Sequence, residues 1–241
     1  MKLRLAIDAY DLRARLFPAL VISFPALAFI YAVIPSARGF WGGMSGSILE
    51  AAVLFVLMRI GRDRGARLQD KLYGIWGGKP TTIMLRHRDH SLDAHTKERY
   101  KQTLARLSGL VFPSEAEELA APESADELHE SAIRALLEQR RRSPDKLVFT
   151  ENCNYGFVRN LVGLKPIGLA TVLLTLAADV FLYLRRAADL KSLGVSALVS
   201  LLTGSMLLLM TEGSVRRTAN AYAIALLRTC ETTRRPSRAA T

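Results

Sequence analysis

The chain has 241 residues, of which 50% are hydrophobic and 23% charged, and a formal net charge of +11. Two cysteines, Cys153 and Cys230, with no C-x-x-C pair exclude a disulfide framework or a cysteine-based metal site. The basic excess does not mark a nucleic-acid binder. Between residues 62 and 165 there are 18 basic and 15 acidic side chains, so most of the excess lies beside long apolar runs.

At the start, Leu3, Ile7, Tyr10 and Phe17 recur at helical spacing and predict a short interfacial helix. Asp8 and Asp11 among the basic residues argue against a secretory signal and for an uncleaved first span. Leu16–Ala37 then holds 22 residues without a charge, kinked at Pro25. Gly39–Met58 is interrupted only by Glu50; it opens on Phe40 and Trp41 as an interface belt and carries the packing motif Gly42-x-x-x-Gly46. Ile167–Leu184 is interrupted only by Asp179, and Leu193–Thr211 gives 19 uncharged residues. A bilayer core of roughly 30 Å needs about 20 helical residues, so four spans are expected.

The expected fold class is mainly α: a four-transmembrane-helix protein of two hairpins, with a small α+β insert between spans two and three. Residues 1–61 form an interfacial helix and the first hairpin, 62–165 the insert, 166–212 the second hairpin, and 213–241 a basic helix and tail. Fourteen basic residues flank one side of the spans, among them Arg13, Arg59, Arg62, Arg159, Lys165 and Arg216. Four flank the other, namely Arg38, Arg185, Arg186 and Lys191. The positive-inside rule therefore puts both termini and the insert in the cytoplasm of a bacterial inner-membrane protein.

Within the insert, Arg59–Tyr73 reads as a charged helical exit stopped by Gly77 and Gly78. Thr81–Asp89 alternates like a strand, with Arg86 and Arg88 on one face and His87 on the other. Ser91 caps a helix to about Leu107. The boxes Ser114-x-x-Glu117 and Ser124-x-x-Glu127 start two more, the second running to about Arg142 with Ile133 and Leu136 inward. Lys146–Thr150 reads as a second strand. Pro166 disfavours helix in Lys165, so a bend is expected there, able to pass movement of the insert to span three.

Candidate functional residues follow from these positions. A carboxylate inside a span usually faces a partner, a cavity or a pathway. Glu50, about 16 Å below the outer end, either lines a cation path in an oligomer or sits protonated against a neighbouring helix. Asp179, about 8 Å below that end, reads as an interfacial, paired or hydrated member of the same path. Arg86 and Arg88 have the fork geometry that binds phosphate or carboxylate, with His87 beside them; the alternative is a solvated edge with local ion pairs. Asn152, Asn154 and Arg159 form a second ligand-reading surface or an interfacial anchor. His87, His90 and His95 match no metal spacing, and no Walker loop, G-x-S-x-G or H-E-x-x-H occurs, so neither a metal, a cofactor nor an enzymatic activity is indicated.

The segments Trp76-Gly-Gly-Lys-Pro-Thr-Thr82, Leu85–Asp89, Glu151–Asn160 and Gly163-Leu-Lys-Pro166 resemble a family of uncharacterised bacterial four-span membrane proteins over about residues 70–170. In overall plan the chain is also similar to the membrane effectors of anti-phage defence, of the Hailong channel type. That resemblance implies an oligomeric channel controlled by a nucleotide product and carries over no residue. The expected function is thus a homo-oligomeric, ligand-gated ion-conducting pore or antiviral-defence effector in the lipid bilayer. Its insert would sense a nucleotide, an oligonucleotide or another anionic ligand. The alternative is a non-conducting anchor that presents the insert to a cytosolic protein partner.

Overall fold

The computed structural model describes residues 8–34, 37 and 39–234, without the side chains of 40–45 and 232–234. Leu3, Ile7, Arg38 and the basic tail beyond Arg234 lie outside the described residues, as do the side chains of Phe40 and Trp41 and the Gly42/Gly43 face. The described elements are nine helices: α1 (Ala9–Val33), α2 (Phe40–Trp76), α3 (Pro80–Leu85), α4 (Ala94–Ser108), α5 (Glu115–Ala120), α6 (Pro122–Arg142), α7 (Lys146–Leu184), α8 (Leu190–Leu209) and α9 (Glu212–Arg234). A π turn over Leu12–Leu16 lies within α1.

The expected α+β insert is corrected: no strand occurs among the described residues. Thr81–Leu85 is a single helical turn begun by Pro80, whose fixed φ and missing N–H suit the first helical position. Arg86 and Arg88 therefore share no strand face. Lys146–Thr150 is the start of α7, where the Asp145 carboxylate accepts from the backbone N–H groups of Leu147 and Val148 at 2.9 and 3.0 Å. Among the described residues, three of the four expected spans are found. Three helices, Ala9–Val33, Lys146–Leu184 and Leu190–Leu209, are long and apolar enough to cross a membrane. In α2 the described side chains run from Glu50 to Arg59, Arg62 and Asp63 within four turns, which breaks the apolar stretch.

The chain divides into two units. The first comprises the described residues of Met1–Asp70 and Cys153–Val215, the second those of Lys71–Asn152 and Arg216–Thr241. In the first, α1 packs along α8, and Ile22, Leu161, Leu164 and Leu207 form a fully buried core. Small residues set the helix spacing. A methyl group added at Gly163 would stand 2.8 Å from the Gly65 backbone nitrogen, so α2 and α7 approach to backbone contact there. Leu173, Leu174, Phe181, Leu198, Leu201 and Leu202 are exposed, an outward apolar surface suited to lipid rather than water.

Lys165 keeps a helical backbone ahead of Pro166, and α7 runs as one helix of 39 residues through the proline. The Lys165 ammonium donates to the carbonyls of Leu208 and Met210 at 3.3 and 2.9 Å. It thus satisfies groups that the end of α8 leaves open and fastens α7 to it. At the other end of this hairpin, α7 closes in a Schellman motif, with Ala187 N–H donating to the Leu182 carbonyl and Arg186 N–H to that of Tyr183, both at 3.0 Å.

In the second unit, Asp93 rather than Ser91 caps α4, accepting from Thr96 N–H at 2.9 Å. The capping box of Ser114 and Glu117 opens α5 as expected. The Ser124 box does not form, because α6 already begins at Pro122. Leu85, Leu104, Leu136, Leu226 and Leu227 are completely or almost completely buried in its core.

The Schellman position of α7 yields a prediction. Arg186 holds φ of 51°, a left-handed conformation that costs a residue with a Cβ about 1 kcal/mol relative to glycine. Arg186→Gly is expected to raise stability by about 0.5–1 kcal/mol, measured by thermal unfolding in detergent.

Candidate functional site

In the second unit, the residues chosen as an anion fork are drawn into an internal polar network instead. Arg86 is buried, and its guanidinium donates to both carboxylate oxygens of Asp126, at 2.8 and 2.5 Å, and to the Gly77 carbonyl at 2.5 Å. This bidentate pair holds the guanidinium above its ordinary pKa, the Asp126 hydrogen bond outweighing desolvation. Arg86 thus ties α3 and the glycine turn to α6 and has little left for a ligand. Arg88 is exposed, beside a cavity of about 50 Å³ that it shares with Arg86, Glu118 and Asp126.

His87 belongs to a neighbouring cavity of about 490 Å³, with Lys97 and Lys101 from α4 and the acids Asp89, Glu98 and Glu115. Both lysines are buried. The Lys97 ammonium is occupied, donating to the carbonyls of Arg86 and Asp89. Lys101 Nζ lies 2.8 Å from His87 Nε2, which is itself 3.1 Å from the Pro113 carbonyl. A charged Lys101 must donate to Nε2 and so requires the ring proton on Nδ1. A neutral Lys101 frees Nε2–H to donate to Pro113. The charge of Lys101 and the tautomer of His87 are therefore coupled. Burial lowers the Lys101 pKa, Glu118 opposes the shift, and Lys97 adds to it.

His129 was not anticipated. It is completely buried, stacks on Phe112 at 5.5 Å between centroids, and neither ring nitrogen has a hydrogen-bond partner. Burial, with Lys101 adding, depresses its pKa from 6.5 to about 4. The i,i+3 spacing from Asp126 and i,i+4 from Ala125 and Ile133 was the available signal, since it puts His129 on the inward stripe of α6.

The first unit gathers the remaining positions. Gln69 Oε1 accepts from the Tyr155 hydroxyl at 2.9 Å and from Arg159 Nη1 at 2.6 Å, and Asn160 Nδ2 donates to the Ala14 carbonyl at 2.7 Å. Arg159 also stands 5.5 Å over the Tyr155 ring. This arrangement stitches α1, α2 and α7 together and spends Arg159 on packing rather than recognition. Asn154 is exposed, whereas Asn152, half-buried, belongs to the second unit. Glu50 is half-buried on a groove of about 240 Å³, otherwise almost wholly apolar, with Leu27, Ile30, Tyr31 and Leu54.

Asp179, expected to be interfacial and paired or hydrated, is closed to water within this chain. It is 5% exposed, inside the apolar part of α7, and both carboxylate oxygens lack an aligned hydrogen-bond partner. The packing of Gly168 on Leu207 and of Gly204 on Val172 sets an antiparallel register between α7 and α8. One turn further along each helix that register brings Thr175 opposite Ser200, and a second turn brings Asp179 opposite Ser196. The Ser196 hydroxyl is within reach of the carboxylate but not aligned with it. The spacing Thr171, Thr175, Asp179 against Ser196, Ser200 was the sequence signal for this polar seam. Among the described residues, no group of three or more His, Cys, Asp or Glu side chains converges to hold a metal.

Comparisons with protein-family models, with curated proteins and with solved structures found no match.

The buried imidazole gives a pH prediction. The folded pKa of about 4 lies below the unfolded value of 6.5, so between them the unfolded chain binds more protons. The His129 contribution is full above about pH 6.5 and is lost as pH falls toward 4, about 3 kcal/mol in all. Thermal unfolding from pH 7.5 to 4 should therefore show a steeper loss in the wild type than in His129→Leu.

Proposed function

We propose that this chain is a multi-span inner-membrane protein that conducts ions, with the second unit as a cytoplasmic ligand-responsive module. The observation that carries the reading is the buried Asp179 carboxylate within an apolar span, with no aligned hydrogen bond to either oxygen. A charged group costs about 3 kcal/mol at the bilayer centre on insertion scales and less toward the interface, so an ionisable group kept inside a span marks ion pathways and relays. The polar seam of α7 and α8 starts about 8 Å below the end of α7 and ends on the apolar plug of Ile22, Leu164 and Leu207. A line of polar groups ending on a hydrophobic constriction supports the reading of a gated, closed path.

The remaining parts fit this reading. Ile48, Phe55 and Val56 of α2 are exposed, as a fourth, lipid-facing span would have them, and Glu50 shares its groove with Leu49 and Val53. Such a span, with both termini and the second unit in the cytoplasm, agrees with the bias of basic residues. The cavity of His87, Lys97 and Lys101 is the better ligand candidate than the Arg86 fork, because the Lys101 ammonium has a single hydrogen-bonding neighbour, His87, beside the Phe112 ring. A nucleotide or other anion taken there would hold Lys101 charged and fix the His87 tautomer. Assembly into a homo-oligomer completes the path around the spans. A non-conducting anchor presenting the second unit to a cytosolic protein is the competing reading, favoured by the closed plug.

In liposomes, wild-type protein is expected to pass alkali cations, and Asp179→Asn to lower the flux about tenfold or more. Flux measured with and without added nucleotides separates gating from conduction. An anchor predicts no flux in any condition.

A further inference from the structure

The seam between α7 and α8 contains oxygens of two kinds. On α7, the threonine hydroxyls are turned back onto their own helix. Thr171 donates to the Ile167 carbonyl at 3.0 Å and Thr175 to that of Thr171 at 2.9 Å. Such back-bonding is the usual resting state of a hydroxyl in a membrane helix. On α8, Ser196 and Ser200 do not do this. Both are completely buried; the Ser196 hydroxyl reaches the Asp179 carboxylate without an aligned hydrogen bond, and the Ser200 hydroxyl has no hydrogen-bond partner. Together with the two carboxylate oxygens of Asp179, four buried oxygens in one seam stand without an aligned hydrogen bond. Leaving each unmade costs about 1–3 kcal/mol, so the native protein must satisfy them with something.

We propose that Asp179, Ser196, Ser200 and Thr175 form an intramembrane binding site for a monovalent alkali cation such as sodium. The chemistry fits in three respects. All the available ligands are hard oxygens, the class that alkali and alkaline-earth ions take and that zinc or copper does not select. The ligands come in i,i+4 pairs from two antiparallel helices, Thr175 with Asp179 and Ser196 with Ser200, so they converge from opposite walls. The Thr175 hydroxyl has spent its proton on Thr171 and presents lone pairs only.

The charge favours a monovalent ion. One carboxylate neutralises one positive charge, whereas a divalent ion would leave a net charge buried in low dielectric. A bound proton satisfies the seam less well. Protonated Asp179 has a single O–H to give, and Ser200 would still lack a partner. The site deepens the ion-conducting reading but does not need it, because binding is measurable without transport.

The test is thermal unfolding of the purified full chain in detergent or nanodiscs, in sodium, potassium, lithium and choline chlorides at equal ionic strength. A saturating alkali cation is expected to raise Tm over choline by about 2–6 °C. The rise should vanish in Asp179→Asn and in the Ser196→Ala/Ser200→Ala double variant, which leaves the carboxylate in place. Equal Tm in all four salts would overturn the proposal. So would a Tm that depends on pH alone, which identifies a proton, or a cation effect that survives in both variants. A protein stabilised by the cation but passing no ions would keep the site and remove conduction.

Discussion

A carboxylate inside hydrocarbon has to be neutralised, by a proton, a counter-ion or a partner, and that requirement governs the membrane part of this chain. Asp179 is 5% exposed and has no counter-charge paired with it. Its surroundings are arranged by packing at a distance from it. Gly168 and Gly204 admit the side chains of Leu207 and Val172, and that fixes the register of α7 on α8. The register in turn sets the carboxylate against Ser196 rather than against lipid. Lys165 holds the far end of the same pair of helices through the carbonyls of Leu208 and Met210. The polar seam is thus a consequence of small residues and one lysine several turns away.

The second unit solves a related problem in water-soluble terms. It buries Arg86, Lys97, Lys101, Glu118 and His129 as well as its apolar core, and each needs its charge compensated or removed. Arg86 is compensated by Asp126, and Lys97 by two carbonyls. Glu118 accepts the His87 backbone N–H at 2.9 and 3.1 Å. His129 is neutralised by depression of its pKa. Lys101 alone is left between states, with a lowered pKa and one nitrogen neighbour. That makes its cavity the place where an incoming anion would change the most.

The sequence disclosed what local chemistry decides. The capping box at Ser114 and Glu117, the α2 stop at Gly77 and the apolar runs of α1, α7 and α8 were all readable, because each depends on neighbours a few residues away. Alternation over Thr81–Leu85 misled because five residues fit a strand or one helical turn equally well; Pro80 was the better guide. Lys146–Thr150 misled in the same way, with Asp145 as the overlooked cap. Arg86 looked free because its partner, Asp126, is 40 residues away. Asp179 looked hydrated because its distance from the helix end was legible and its facing residue was not. The i,i+4 hydroxyls on both sides carried that information, but only an antiparallel pairing of the two helices reveals it.

The central claim is that the α7/α8 seam is a water- and ion-accessible line within the membrane, distinct from the lipid-facing side of the same helix. Substituted-cysteine labelling tests it most directly. Single cysteines are placed at Thr175 and Asp179 on the seam and at Leu173 and Leu174 on the exposed face, in a background with Cys153 and Cys230 replaced. The protein is then treated in membranes with a small, charged, thiol-specific reagent. The account predicts modification at 175 and 179, slowed by alkali cations at 175, and none at 173 and 174. Equal protection at all four positions would contradict it and leave Asp179 a sealed structural residue.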